Sequence, residues 1–332
     1  MRRMLTGALV LAIAALLVLQ VAKPWADGAP QPYPRASTTP HLQLGVTTLS
    51  LARNAYRPWR TSDLREVNRF EQDARGHADI VMWFADWAHT KTFDARQAEA
   101  IAARGSVPEI SWEPWDSAKA LGAPQPRYRL ARIIDGDYDA YITRWAQAMA
   151  AYGKPIRLRF AHEMNGRWYP WSERANGNHP GEYAQAWRHV HAIFDAAGAT
   201  NVTWVWSPVA GAVQREQYPG SDVVDVIGVS GFNGGTHLFR GTWRTFDQAF
   251  VPTLEAVHAL DPSKPVELSE VASTEAGGSK AAWIRDMFAE VRKRPWIRSL
   301  VWFNLRKETD WRIESSASAQ RAFAEGINRA GR

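Results

Sequence analysis

A single (β/α)8 barrel, an α/β fold in one domain, is the architecture this sequence predicts, and three observations predict it. Short apolar, β-branched runs alternate with amphipathic stretches, the signature of βα units and a parallel sheet. Eight such runs occur, and several close on a polar or aromatic residue after an apolar body, as strands do when their carboxyl ends share one rim. The part that carries them, roughly 290 of 332 residues, suits such a barrel with a few long loops. A two-domain dinucleotide-binding fold needs a Gly-rich turn after an early strand, and Gly45-Val46-Thr47-Thr48 does not supply G-x-G-x-x-G.

The strands are expected at residues 42–49, 79–85, 106–112, 156–162, 202–207, 224–230, 265–270 and 299–304. Residues 79–85 form an unbroken apolar body after one aspartate, while 156–160 alternate apolar with arginine. Helices are expected at 95–103, 138–152, 180–197, 246–260, 281–292 and 318–330, where apolar residues recur at three-to-four spacing. Strand ends then fall at Trp112-Glu113, His162-Glu163, Ser207-Pro208, Gly231-Phe232, Glu270 and Asn304.

Ahead of this domain, Arg2 and Arg3 precede an apolar run from residue 5 to 22, the pattern of an export signal or an uncleaved membrane anchor. Residues 23–41, rich in Pro, Ala, Ser and Thr, read as an extended tether. The folded domain is expected from 42 to 332 in an extracytoplasmic protein, secreted or held at the membrane by its N-terminal segment alone. Cysteine is absent, which excludes disulfides, thiolate nucleophiles and Cys zinc sites. The net charge of +6 is scattered rather than gathered in a Lys/Arg block, so no nucleic-acid partner is expected. The chain carries 17 tryptophans, most of them expected in a large core and about four to six in a cleft, where indole faces suit the apolar C–H faces of sugar rings.

Several catalytic templates fail by position. His162-Glu163-Met164-Asn165-Gly166 begins like a zinc protease helix but has glycine where the second histidine belongs. Gly228-Val229-Ser230-Gly231-Phe232 lacks the final glycine of a nucleophile elbow. What remains is carboxylate chemistry. Glu163 closes the fourth expected strand and Glu270 the seventh, three to four units round the ring, which places them across the mouth from each other. Two carboxylates facing over a saccharide meet the needs of glycoside hydrolysis: one protonates the leaving oxygen, the other attacks the anomeric carbon or activates water. Metal binding and ion pairing also use such pairs. Arg159 and His162 stand beside Glu163, and tryptophans recur near strand ends, with Trp112, Trp168 and Trp302 the best candidates for the rim.

The run Arg159-Phe160-Ala161-His162-Glu163-Met164-Asn165-Gly166-Arg167-Trp168-Tyr169-Pro170-Trp171 resembles the acid/base segment of glycoside hydrolase family 26, a family of β-mannanases with some β-1,3-xylanases and mixed-linkage β-glucanases. Ser111-Trp112-Glu113-Pro114-Trp115, Lys264-Pro265-Val266-Glu267-Leu268-Ser269-Glu270 and Trp302-Phe303-Asn304 agree with it. The resemblance implies a retaining endo-β-glycoside hydrolase that needs no metal and no organic cofactor. In it Glu163 is the general acid/base and Glu270 the nucleophile, Trp168 and Trp302 are stacking platforms, and His162 and Arg159 position the carboxylates. Strand alternation is expected to turn Glu267 away from the site. Members commonly carry a tyrosine after the sixth strand, hydrogen-bonded to the nucleophile; here Phe232 stands there, which implies either weaker activity or substitution by another group such as Asn233. The expected substrate is a β-mannan-like or β-glucan-like polysaccharide, handled by a monomer. The competing readings are a non-hydrolytic carbohydrate-binding or exopolysaccharide-assembly barrel, and a polysaccharide lyase.

Overall fold

The computed structural model describes residues 41–53, 59–238 and 241–330. The expected export segment and all but the last residue of the tether lie outside the described residues. Eight strands, β1 (Gln43–Thr48), β2 (Ile80–Asp86), β3 (Val107–Glu113), β4 (Ile156–Phe160), β5 (Val202–Trp206), β6 (Val226–Asn233), β7 (Val266–Ser273) and β8 (Ile297–Asn304), pair in sequence order and close with β8 parallel to β1. The fold is a (β/α)8 barrel.

Helices α1 (Leu49–Ala52), α2 (Leu64–Ala74), α3 (Ala95–Ala102), α4 (Leu130–Ile134), α5 (Asp139–Tyr152), α6 (Glu182–Ala196), α7 (Phe246–Leu260), α8 (Lys280–Arg292) and α9 (Ala317–Ala330) occupy the connections. The six expected helices are α3 and α5 to α9. The sequence reading has no counterpart of α2, whose apolar stripe is four buried residues, Leu64, Val67, Phe70 and Ala74, among charged neighbours. Local chemistry starts several helices. Asp94 caps α3 and Ser279 caps α8, and at α7 Thr245 and Gln248 satisfy each other's backbone N–H in a capping box. Among the described residues, no helix is long and apolar enough to cross a membrane.

Three strand ends differ from expectation by more than one residue, each near the functional rim. β4 stops at Phe160 because Ala161 (φ 45°) and Glu163 (φ 55°) enter the left-handed region, so His162 and Glu163 lie beyond the strand. β6 runs on through Phe232 to Asn233, and β7 continues past Glu270 to Ser273. Within β7 the register slips: Val229 faces Leu268 but Ser230 faces Glu270, and toward β8 Leu268 faces Leu300 while Val271 faces Trp302. Ser269 is therefore an extra residue, a β-bulge, and it rephases the strand.

This bulge corrects the reading of Glu267. Three residues apart, Glu267 and Glu270 belong on opposite faces of a regular strand; the extra residue turns both into the barrel. Glu267 lies one layer deeper, fully buried, where it accepts from Ser269 (2.8 Å), Ser299 (2.6 Å) and the Arg157 guanidinium. Arg157 also pairs with Glu109 at 2.7 Å. The lumen is thus a layered polar network, with Ile80, Met82 and Val301 a small apolar cluster apart from the main core.

The same alternation corrects Trp112 and Trp302. Ser111 and Ser299 bond to groups in the lumen, so Trp112 and Trp302, one and three residues on, point outward. Both are fully buried. Trp112 stacks on Tyr141 and packs on Trp145 of α5 and Phe194 of α6; Trp302 meets Trp283 of α8 and Phe323 of α9 edge to face. They join sheet to helices and offer no face to a sugar.

Replacing Arg157 by Met leaves two buried carboxylates without their cation, and is expected to destabilise the fold by about 3–5 kcal/mol. A urea titration checks this, with the surface change Leu121→Ser, at a residue 57% exposed, expected to stay within about 0.5 kcal/mol of the parent.

Candidate active site

The site is assembled from the carboxyl ends of four strands and the loop after β4. Arg159, alternating with Arg157 on β4, enters the lumen at the upper layer and is completely buried. Its Nη1 donates to Ser111 Oγ of β3 (2.8 Å) and to Glu270 Oε1 of β7, and its Nη2 donates to Ser230 Oγ of β6 (2.5 Å). Burial works against this guanidinium's charge, but Glu270 and Glu163 more than offset it, so the arginine is held firmly cationic.

Glu163 is aimed by backbone rather than by strand pleat. Its left-handed φ is locked from both sides: its N–H donates to Ser207 O (2.7 Å) and its carbonyl accepts from Gly166 N–H (2.9 Å). A non-glycine residue in this region stores roughly 1–3 kcal/mol, held here by the packed turn. Only glycine fits at 166, since a Cβ there would come within 2.7 Å of the Trp168 ring. The indole folds back over the turn, and its Nε1 donates to Glu163 Oε2 at 3.0 Å. At 36% exposure, Trp168 keeps part of its surface open.

The two carboxyls differ in surroundings. Burial, then the neighbouring Glu270 carboxylate, pushes Glu163 up to about 7, against the pull of Arg159 and of hydrogen bonds from Trp168 and Ser230. Glu270 instead sits directly on the Arg159 cation. One carboxyl is thus raised toward neutrality while the other rests on a buried guanidinium, an asymmetry of the kind that sets two carboxyl groups to different tasks.

His162 is 1% exposed, edge to face with Tyr169 (4.9 Å between ring centres) and 3.9 Å from both Glu113 Oε1 and Glu270 Oε1. Burial, then Arg159, holds its pKa well below the usual histidine range, so the ring is neutral. Phe232 packs on Phe303 and Trp311 at the mouth and, with Glu163, Trp168, Arg244 and Phe250, lines a cavity of about 230 Å³. Asn233 does not replace the missing phenol: its amide donates to Ser273 and accepts from the Arg244 backbone. The close contact of Glu270 is Arg159.

Of the residues singled out in the sequence, the structure brings Glu163, Glu270, Arg159, His162, Trp168 and Phe232 to one mouth and places Trp112 and Trp302 behind the sheet. Sequence reasoning gave no role to Ser230 or Arg244, read Tyr169 only as aromatic surface beside Glu163, and named Glu113 only as a strand end. The signal for Glu113 was present, since it shares its pleat face with Ser111. Among the described residues, Asp86, His89 and Asp116 bring ligand-type atoms within 4.8 Å of one another, but Asp86 already accepts from His89 (2.7 Å) and from Ser117.

Residues 111–256 match the model of the family described as Glycosyl hydrolase family 26, a span that includes Glu163 and stops short of Glu270. The chain is 39% identical over 272 residues, 79% of its length, to Endoglucanase H of Acetivibrio thermocellus, and spans 29% of that protein. It is 26% identical to the mannan endo-1,4-beta-mannosidase of Bacillus subtilis over 57% of this chain and 47% of that one. Among solved structures, the GH26 β-mannanase BoMan26A from Bacteroides ovatus superposes with a TM-score of 0.61 at 16% identity, covering 88% of this chain and 90% of that one, a likeness of fold. The segment that carries Arg159, His162 and Glu163 lies inside the matched span, and the chain belongs to glycosyl hydrolase family 26.

Proposed function

We propose that this chain is a retaining endo-β-glycoside hydrolase acting on a β-linked polysaccharide, with Glu163 as acid/base and Glu270 as nucleophile. The observation that carries the reading is the unequal pair: Glu163 raised to about 7 beside Glu270 held on Arg159. Family membership supports it. In the first step Glu163 gives its proton to the glycosidic oxygen as the C–O bond breaks, and a Glu270 oxygen bonds the anomeric carbon. Esterification removes the Glu270 charge, one of the two causes raising Glu163, and Glu163 becomes the base that takes a proton from water as the ester is cleaved. Trp168 offers the stacking surface beside the leaving side. Similarity at 39% to an endoglucanase, against 26% to a mannanase, favours a β-glucan-like polymer over a β-mannan. Both carboxylates come from one chain, which supports a monomer as the working unit. A polymeric substrate and the apolar run behind Arg2 and Arg3 support an extracytoplasmic location, secreted or tethered through that segment.

Glu163→Ala is expected to cost about 10²–10⁴-fold on polysaccharide but to spare a dinitrophenyl β-cellobioside, whose leaving group needs no proton. Glu270→Ala is expected to lose both; equal losses in the two variants on both substrates contradict the assignment.

Glu163 must enter the first step protonated, so the active form is lost as pH rises through about 7. The alkaline limb of kcat/KM on polysaccharide is expected there, and to vanish for the aryl glycoside in Glu163→Ala.

Proton NMR of products released from β-glucan and β-mannan is expected to show the β-anomer first, before mutarotation. An α-anomer first means inversion and removes Glu270 as nucleophile.

A further inference from the structure

One buried acid at the mouth has no part in the cycle above. Glu113, at the end of β3, is 4% exposed, and its Oε2 accepts from Trp115 Nε1 at 3.2 Å. Its Oε1 stands 3.9 Å from His162 Nε2, and that same nitrogen stands 3.9 Å from Glu270 Oε1. One ring nitrogen thus faces two carboxyl groups at equal distance, too far for a direct hydrogen bond to either, and an N–H on it is drawn toward whichever carries charge. The other nitrogen, Nδ1, is buried without a hydrogen-bond partner among the described residues. Tyr169, Trp171 and Phe84 enclose the ring and leave it little freedom to turn away.

We propose that Glu113 is a positioning residue that acts through His162 on the nucleophile Glu270. The inference rests on the reading of Glu270 given above. Ionised, Glu113 competes for the Nε2 proton and adds a second negative charge next to the nucleophile. Neutral, it fills the buried space beside the imidazole, fixes the ring in place and leaves the Nε2 N–H to Glu270; truncation to alanine removes that support. The groups around Glu113 keep it neutral: burial first, with Asp86 of β2 and Glu270 of β7 adding to the upward push, outweighs the Trp115 hydrogen bond and Arg159 of β4, and its carboxyl lies at about 8. His162 is itself neutral and supplies no cation to ionise it, and the Tyr169 phenol, held well above the usual tyrosine range by burial and then by Glu163, Glu113 and Glu270, stays neutral.

A double-mutant cycle on dinitrophenyl β-cellobioside tests the path. Glu113→Ala and His162→Ala are each expected to lower kcat by about 10–100-fold with KM moved less than about threefold, and the double variant to be no worse than the poorer single one. Losses that multiply overturn the proposal, because a residue acting through His162 has nothing left to do once the imidazole is gone. Glu113→Gln keeps the acceptor for Trp115 and the neutral shape, and is expected to recover most of the kcat that Glu113→Ala loses; a Gln variant as poor as the Ala variant overturns it. In the Glu163→Ala background, where the limb near 7 is absent, the remaining fall in rate near pH 8 is expected to disappear with Glu113→Gln, and its persistence there contradicts the proposal. Failure of the hydrolase reading shows differently, as no cleavage by the unaltered chain.

Discussion

A guanidinium sealed inside the barrel is the constraint on which the site depends. Removing such an ion from water costs several kcal/mol even after relaxation, and the cost is met only if its donors find acceptors in good geometry. For Arg159 those acceptors come from β3, β6 and β7, so the cation that pairs with Glu270 also holds three strand ends in register with its own. Closure of the barrel and the placement of Glu270 on its cation are one arrangement. The same cation moderates Glu163, which therefore titrates in the range where it can give and later take a proton.

The lumen repeats this design one layer down, where Arg157 lies between Glu109 and Glu267. Two arginines at alternate positions of β4 thus serve two depths of the barrel, the deeper one structural and the shallower one at the mouth. Access from the lower layer to the upper one on β7 depends on a single inserted residue, Ser269. In a regular strand that kept Ser269, Glu270 would face the helices instead of Arg159.

Much of this was legible in the sequence. The eight apolar runs, the helices between them and the clustering of acid, histidine and tryptophan after β4 all follow from periodicity and composition that burial imposes directly. Other features were not. The helix α2 hides because a stripe of four apolar residues is diluted by charge, and its stability comes from packing rather than propensity. Tryptophan richness suggested several stacking platforms, yet Trp112 and Trp302 fill the layer between sheet and helices; abundance does not report which face a side chain takes. Phe232 was read correctly as a residue that donates nothing, but Asn233 proved committed to Ser273.

By itself the sequence determined the class of fold and the kinds of chemical group near its rim, because both are written in local pattern: period, residue type and order along the chain. Only the tertiary structure decided which groups meet. The bulge at Ser269, the left-handed turn at Glu163 and the pleat parity that sends Glu113 inward and Trp112 outward each depend on register between strands distant in sequence. A change of one residue in that register reverses the side chain's direction, and no local property of the chain records it.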